Sequence, residues 1–268
     1  MKYFVLIPDG MADRPIPQLN GKTPMEAANK PNMDRLVKIS TAGTAMNVPA
    51  HMVPESDTAN LAILSYDPAV YSKGRSPLEA LSVGVKMEPD DIIFRANIVT
   101  LTEEEPYAEK TILDHSSGEI STADADILMD AIRDAFTSDT IQFYTGTSYR
   151  HICVWKKGKA YDLDPPHDYL TQVIGPHIPQ DALLRSMMEK SFDILNNHPL
   201  NLERSARGEN KANSLWFWGA GTKPALSSFE TKTGLKGAMI SAVDLLKGMA
   251  VGADMQVYEV EGATGSLH

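Results

Sequence analysis

With 268 residues, 43% hydrophobic and 22% charged, the chain has a globular composition, enough for one large domain or two ordinary ones. A net charge of −10, from 25 basic and 35 acidic residues, argues against general nucleic-acid binding; an anionic substrate could still be held by a local arginine cluster. The single cysteine excludes an intramolecular disulfide framework, no apolar run approaches a membrane span, and no leader-like segment opens the chain. The expectation is a cytoplasmic protein with neither membrane nor nucleic acid as partner.

The first element, Lys2-Tyr3-Phe4-Val5-Leu6-Ile7, is a run of β-formers closed by Pro8-Asp9-Gly10. It predicts a buried central strand and a tight turn. Strand carboxyl ends hold ligands in open α/β sheets, so Asp9 is a candidate metal or substrate ligand. A turn aspartate satisfying its own backbone is the equal alternative. Thr23-Pro24 opens a short capped helix, and Asn32 to Ile39 is amphipathic. Residues 43–54 form a loop or short strand that leads to Pro54-Glu55-Ser56-Asp57-Thr58-Ala59-Asn60-Leu61. Here a serine is delivered to the first turn of a helix, where unpaired N–H groups favour a bound anion. An ordinary Ser or Asp cap is the plain alternative.

From Lys73 the texture changes. Ile92 to Leu101 is a strand, with Thr111 to Asp114 as its antiparallel neighbour and the acidic turn Glu103-Glu104-Glu105-Pro106 between them. Thr122 caps a helix through Ile132. Ile141 to Tyr144 and His151 to Trp155 are strands, the second closed by Lys156-Lys157-Gly158-Lys159. Cys153 reads as a buried strand thiol. This β-β-α-β-β order predicts a compact α+β unit inserted into an α/β core. Residues 165–179 form a loop, Asp181 to Leu195 a helix, and Asn213 to Gly219 a strand at which the core resumes. Ala238 to Ile240, Val243 to Met249 and Met255 to Val260 make a parallel βαβ unit. The predicted division is a core of residues 1–72 and 212–268 around an insertion of residues 73–211.

No local metal motif is present, and there is no Walker loop, G-x-G-x-x-G or nucleophile elbow. A nucleotide cofactor is therefore not expected.

Several longer stretches resemble one family. Pro8-Asp9-Gly10-Met11-Ala12-Asp13-Arg14-Pro15, Ser56-Asp57 with Ala59-Asn60-Leu61, and Gly74-Arg75-Ser76-Pro77-Leu78-Glu79-Ala80 are similar to the archaeal-type cofactor-independent phosphoglycerate mutases. So are Phe94-Arg95-Ala96-Asn97, Ser148-Tyr149-Arg150-His151, Pro165-Pro166-His167-Asp168, His198-Pro199-Leu200-Asn201 and Gly262-Ala263-Thr264-Gly265. The resemblance covers nearly the whole chain. It implies an alkaline-phosphatase-like α/β core, incomplete here, with an inserted α+β domain.

The resemblance further implies a glycolytic and gluconeogenic isomerase that interconverts 3- and 2-phosphoglycerate without bisphosphoglycerate. Ser56 would be the residue that is phosphorylated and also a metal ligand, with Asp9 a ligand of the same metal. Two divalent cations, Mn, Mg or Zn, would assist. Holding carboxylate and phosphate needs cations, which suits arginine's two-pronged fork. Arg95, Arg150, Arg204 and Lys247 are the candidates, each with a structural ion pair as its alternative. His151, His167 and Asp168 are substrate, hinge or loop-packing residues, and Asp114 beside His115 a turn residue. The family's other metal ligands lie beyond its Gly-Ala-Thr-Gly motif, three residues after which this chain stops at His268. The chain is thus expected to match the family's first two-thirds, with under-liganded metals. An exposed sheet edge follows, open to pairing between copies. A homoserine-kinase-like phosphotransferase and an inactive phosphoglycerate-binding fragment are the competing expectations.

Overall fold

The computed structural model describes residues 1–8 and 10–263. They divide into two units, residues 1–46 and 47–268.

In the first unit, a bridge between Ile16 and Lys22 closes a turn. Helix α1 (Pro24–Ala27) starts with a full capping box, in which Thr23 and Glu26 satisfy each other's backbone N–H. Helix α2 (Pro31–Val37) follows. No described residue of this unit is buried. The expected first strand is a correction. Residues 2–7 form no strand, and Phe4 and Leu6 are 83% and 85% exposed. A strand that is apolar on both faces needs paired neighbours and a layer on each side, and the described residues of this unit supply neither. Asp9, the turn residue singled out above, lies outside the described residues.

The second unit is built on an antiparallel sheet. Strand β1 (Ile92–Leu101) is buried along its whole length. It is central: β4 (Arg150–Trp155) and β5 (Ser214–Thr222) pair along its two edges, β2 (Ile112–Asp114) pairs with its C-terminal end at Thr100 and Leu101, and β3 (Ile141–Tyr144) pairs with β4. A β-rich run with both edges paired and both faces covered reads as a continuous apolar stretch. On one face, Phe94, Ala96 and Ile98 pack with α6 (Thr122–Phe136), through Leu128 and Ile132, and with α7 (Ala182–Leu195), through Met188 and Leu195. On the other face, Ile93, Ile152 and Val154 pack beneath α5 (Arg75–Ser82), through Ala80. Both long helices are capped by side chains, Ser121 accepting from the Asp124 N–H and Asp181 from those of Leu183 and Leu184. Helix α8 (Pro199–Ala206) then leads into β5. The sequence reading places this strand in the α/β core, but β5 belongs to the antiparallel sheet, beside β1.

Helix α5 is shared with a second cluster. Leu78 packs with Leu61 of α3 (Ser56–Ile63), with Tyr66 ahead of α4 (Pro68–Tyr71), and with Leu245 and Met249 of α10 (Asp244–Gly252). After the short helix α9 (Phe229–Thr233), strands β6 (Ala238–Met239) and β7 (Gln256–Val257) pair in parallel around α10, as the βαβ spacing predicts.

Candidate active site

Ser56 is the first helical residue of α3, one step inside the Glu55 N-cap, and among the described residues no side chain caps this end. It is exposed. The next carboxylate, Asp57, is buried and turned away, accepting a 2.7 Å hydrogen bond from the Ser72 hydroxyl. The first-turn N–H groups and the positive end of the helix dipole therefore remain open around the Ser56 hydroxyl. That is a setting for an oxyanion. Neither Ser56 nor Asp57 acts as the ordinary cap.

Residues 72–79 tie this helix start to the sheet. The Lys73 carbonyl accepts from the Thr222 N–H at 3.1 Å, and the Ser76 hydroxyl donates to the Gly219 carbonyl at 2.6 Å. Gly74 makes the turn with φ of 99°, and a Cβ there would lie 2.7 Å from the Ala220 carbonyl oxygen. Only glycine fits. The turn launches α5, whose buried Glu79 receives Arg75 Nε at 2.7 Å and Arg95 Nη2 at 2.9 Å.

Arg95 and Asn97 share one face of β1 and lie opposite Ile152 and Arg150 of β4. The Arg95 guanidinium sits 5.0 Å over the Trp218 ring, and the Trp218 indole donates to Asn97 Oδ1 at 3.2 Å. Exposed His167 meets the same ring edge-on at 5.3 Å, and His115 lies 6.0 Å from His167 and 5.7 Å from Tyr149. Arg150 lies 5.4 Å over the Tyr149 ring. Two arginines on adjacent strands are thus set among aromatic rings. Burial lowers the proton affinity of Arg95, with Glu79 opposing. Burial also lowers His167 below its usual value against the pull of Asp168, which favours the neutral imidazole at neutral pH.

The remaining cations are engaged elsewhere. Arg204, 3% exposed, binds the Ser117 and Asn210 carbonyls at 2.9 and 3.1 Å, Asp124 at 3.2 Å and Glu209 at 3.1 Å. It ties α8 to the start of α6. Arg204→Met is expected to lower stability by about 2–4 kcal/mol, because buried acceptors and carboxylates lose their partner. A urea titration checks this, and an unchanged midpoint would contradict it. Lys247 of α10 pairs with the exposed Glu259 at 2.7 Å. Asp114 organises its own turn, accepting from Ser116 and Gly118.

His151 is fully buried on the opposite face from Arg95, in register with Ala96. Its Nδ1 accepts from the Gly146 N–H at 3.3 Å, and Nε2 has no partner among the described residues. Burial, reinforced by the Arg133 charge and opposed by Asp126, pushes the imidazole down to about 3. The unfolded chain therefore binds a proton here, near an ordinary pKa of about 6.5, that the folded chain refuses. Stability is fully present above that value and falls as pH drops toward 3, at about 1.4 kcal/mol per pH unit from this group. His151→Gln is expected to flatten this limb of the stability profile, measured by urea midpoints from pH 7 to pH 4. An unaltered slope would contradict the assignment.

Glu79, Trp218, Asn97, Tyr149 and His115 escaped the sequence reading as a group. The Arg75–Glu79 spacing of four on a helix was the one local signal.

Residues 38–201 match the sequence profile of 2,3-bisphosphoglycerate-independent phosphoglycerate mutase. The chain is 45% identical, over its whole length, to a probable 2,3-bisphosphoglycerate-independent phosphoglycerate mutase of Geobacter sulfurreducens, and 44% identical to the corresponding mutase of Methanosarcina mazei. It spans 67% of the length of each. A solved structure from Pyrococcus horikoshii superposes with a TM-score of 0.73 at 32% identity, over 96% of this chain and 61% of that one. The cofactor-independent phosphoglycerate mutase of Thermoplasma acidophilum gives 0.53 at 30% identity, over 94% and 68%. The serine-bearing helix start and the arginine-lined strand thus lie in a chain that belongs to the family of 2,3-bisphosphoglycerate-independent phosphoglycerate mutases.

Proposed function

We propose that this chain carries the phosphoryl-accepting serine and the substrate-holding face of a phosphoglycerate mutase that works without bisphosphoglycerate. Ser56 Oγ bonds to the phosphorus of 3-phosphoglycerate as the bond from phosphorus to the 3-oxygen breaks. The serine proton leaves and the released alkoxide takes one up. The glycerate turns in place, and the same exchange in reverse returns the phosphoryl group to its 2-hydroxyl. The observation that carries this reading is the exposed Ser56 at an uncapped helix start, joined through residues 72–79 to the Arg95 face.

Arg95 and Arg150 are assigned to the substrate's anionic groups. Buried His151 and Arg204 support the framework behind them, and half-buried Lys247 is paired with the exposed Glu259. The two divalent cations implied by the resemblance lack a donor set among the described residues, where no three His, Cys, Asp or Glu side chains converge. Asp9 lies outside those residues. An α/β core of alkaline-phosphatase-like character, expected over residues 1–72 and 212–268 but without β5, which lies in the sheet of the 73–211 insertion, belongs to the same proposal, as does a cytoplasmic, glycolytic role. Among the described residues no helix is long and apolar enough to cross a membrane.

The test follows 3-phosphoglycerate by phosphorus NMR in manganese-containing buffer. Formation of 2-phosphoglycerate is expected. Phosphate transfer to homoserine without isomerisation, or no phosphoryl chemistry at all, would overturn the reading.

A further inference from the structure

The carboxylate of Glu79 is almost completely buried and is shared by two guanidinium groups, one exposed and one enclosed. Arg75 reaches it from the preceding turn of α5, at 2.7 Å, and Arg95 reaches it from the sheet at 2.9 Å. The enclosed partner is held on three sides: Glu79 at Nη2, the Trp218 ring beneath at 5.0 Å, and the β1 backbone paired on both edges. Yet the Nε–H of Arg95 is buried and has no acceptor among the described residues. A guanidinium donates through every N–H it has, and a buried donor left without an acceptor is costly. An arginine fixed this firmly with its Nε–H unanswered is prepared for an acceptor that arrives from outside. The nearby groups fit an oxyanion, since Arg150 adds a second positive charge and the rings of Trp218, Tyr149 and His167 displace water.

The geometry points to Glu79 as a positioning residue, which fixes the Arg95 guanidinium so that its unpartnered Nε–H receives an oxyanion of the phosphoglycerate, carboxylate or phosphoryl. This rests on the reading that Arg95 contacts substrate, and goes beyond it by assigning the role to an acidic residue that never touches the ligand. The sign of the effect is distinctive. A negative charge beside an anion site weakens binding through space, so its removal alone would strengthen binding. Loss of a fixed guanidinium geometry works in the opposite direction.

The experiment titrates 3-phosphoglycerate, inorganic phosphate and D-glycerate into the 268-residue chain, with calorimetry as the readout. The wild type is compared with Glu79→Gln, Glu79→Asp and Arg95→Lys. Glu79→Gln preserves the shape and loses the charge, and it is expected to weaken phosphoglycerate binding about tenfold. Glu79→Asp keeps the charge and is expected to retain more affinity than Gln, although Gln is the closer match in volume. A merely structural role would give the reverse order. Parallel losses with phosphate identify the phosphoryl group as the ligand of Arg95, and parallel losses with glycerate identify the carboxylate. Unchanged or tighter binding by Glu79→Gln, with Arg95→Lys impaired, would overturn the positioning role and leave the Arg95 contact standing. Undiminished binding by Arg95→Lys, or no binding by the wild type, would overturn that contact and the positioning role with it.

Discussion

Ser56→Ala is expected to abolish phosphoryl exchange, a loss on the order of 10⁴-fold or greater in turnover, because alanine has no hydroxyl to hold the phosphoryl between its two positions. The same substitution is expected to leave stability within about 0.5 kcal/mol of the parent. Ser56 is exposed, makes no cap and sits at the first helical position, where alanine is a good helix former. Phosphoglycerate affinity is also expected to persist, since the arginines of β1 and β4 remain. Loss of turnover with stability and binding retained identifies a chemical role. Turnover measured beside thermal melting and calorimetric binding checks all three, and a variant that still isomerises substrate would remove Ser56 from the mechanism.

Gly248→Ala is expected to cost about 3 kcal/mol or more in stability. Gly248 is buried in α10, where a Cβ would overlap the Leu78 carbonyl oxygen of α5. Its φ needs no glycine; the demand comes from the neighbouring backbone. Carbonyl groups within a helix cannot swing aside as a flexible side chain can, so α10 and α5 must separate and part of the Leu61–Leu78–Met249 cluster opens. Helix α5 carries Glu79, so the same displacement is expected to weaken anion binding. A lowered urea midpoint with weaker phosphoglycerate binding fits this contact, whereas a midpoint equal to the parent's would contradict it.

What could be read from the sequence depended on whether the signal was local. Helices α6 and α7 show a 3.6-residue apolar period and good capping types, and both form. Ser121 rather than Thr122 is the cap of α6, and the helix runs on to Phe136. The β1, β3 and β4 runs also form, because each is a compact β-rich segment between turns. The pattern of residues 2–7 is just as strong, yet it makes no strand, since a strand depends on neighbours that its own residues cannot supply. Strand β5 was legible as a strand but not in its place, which depends on pairing Trp218 with Arg95 across distant parts of the chain. The site divided in the same way. Ser56 and Arg95 stood out by residue type and flanking motif. Glu79 and Trp218 did not, because they gain meaning only when α5 lies across the sheet and β5 lies beside β1. Arg204 shows the converse: it matched a useful cation in sequence, and its partners emerge only in the folded α6–α8 corner.

The central claim is that Ser56 carries the phosphoryl group between the two hydroxyls of glycerate. Its most direct test is peptide mapping by mass spectrometry after brief incubation with 3-phosphoglycerate in manganese-containing buffer and an acid quench. A phosphate on the peptide containing Ser56, absent from Ser56→Ala, is the predicted result. A chain that interconverts the two phosphoglycerates with no phosphate on Ser56, or with phosphate on another residue, would contradict the account.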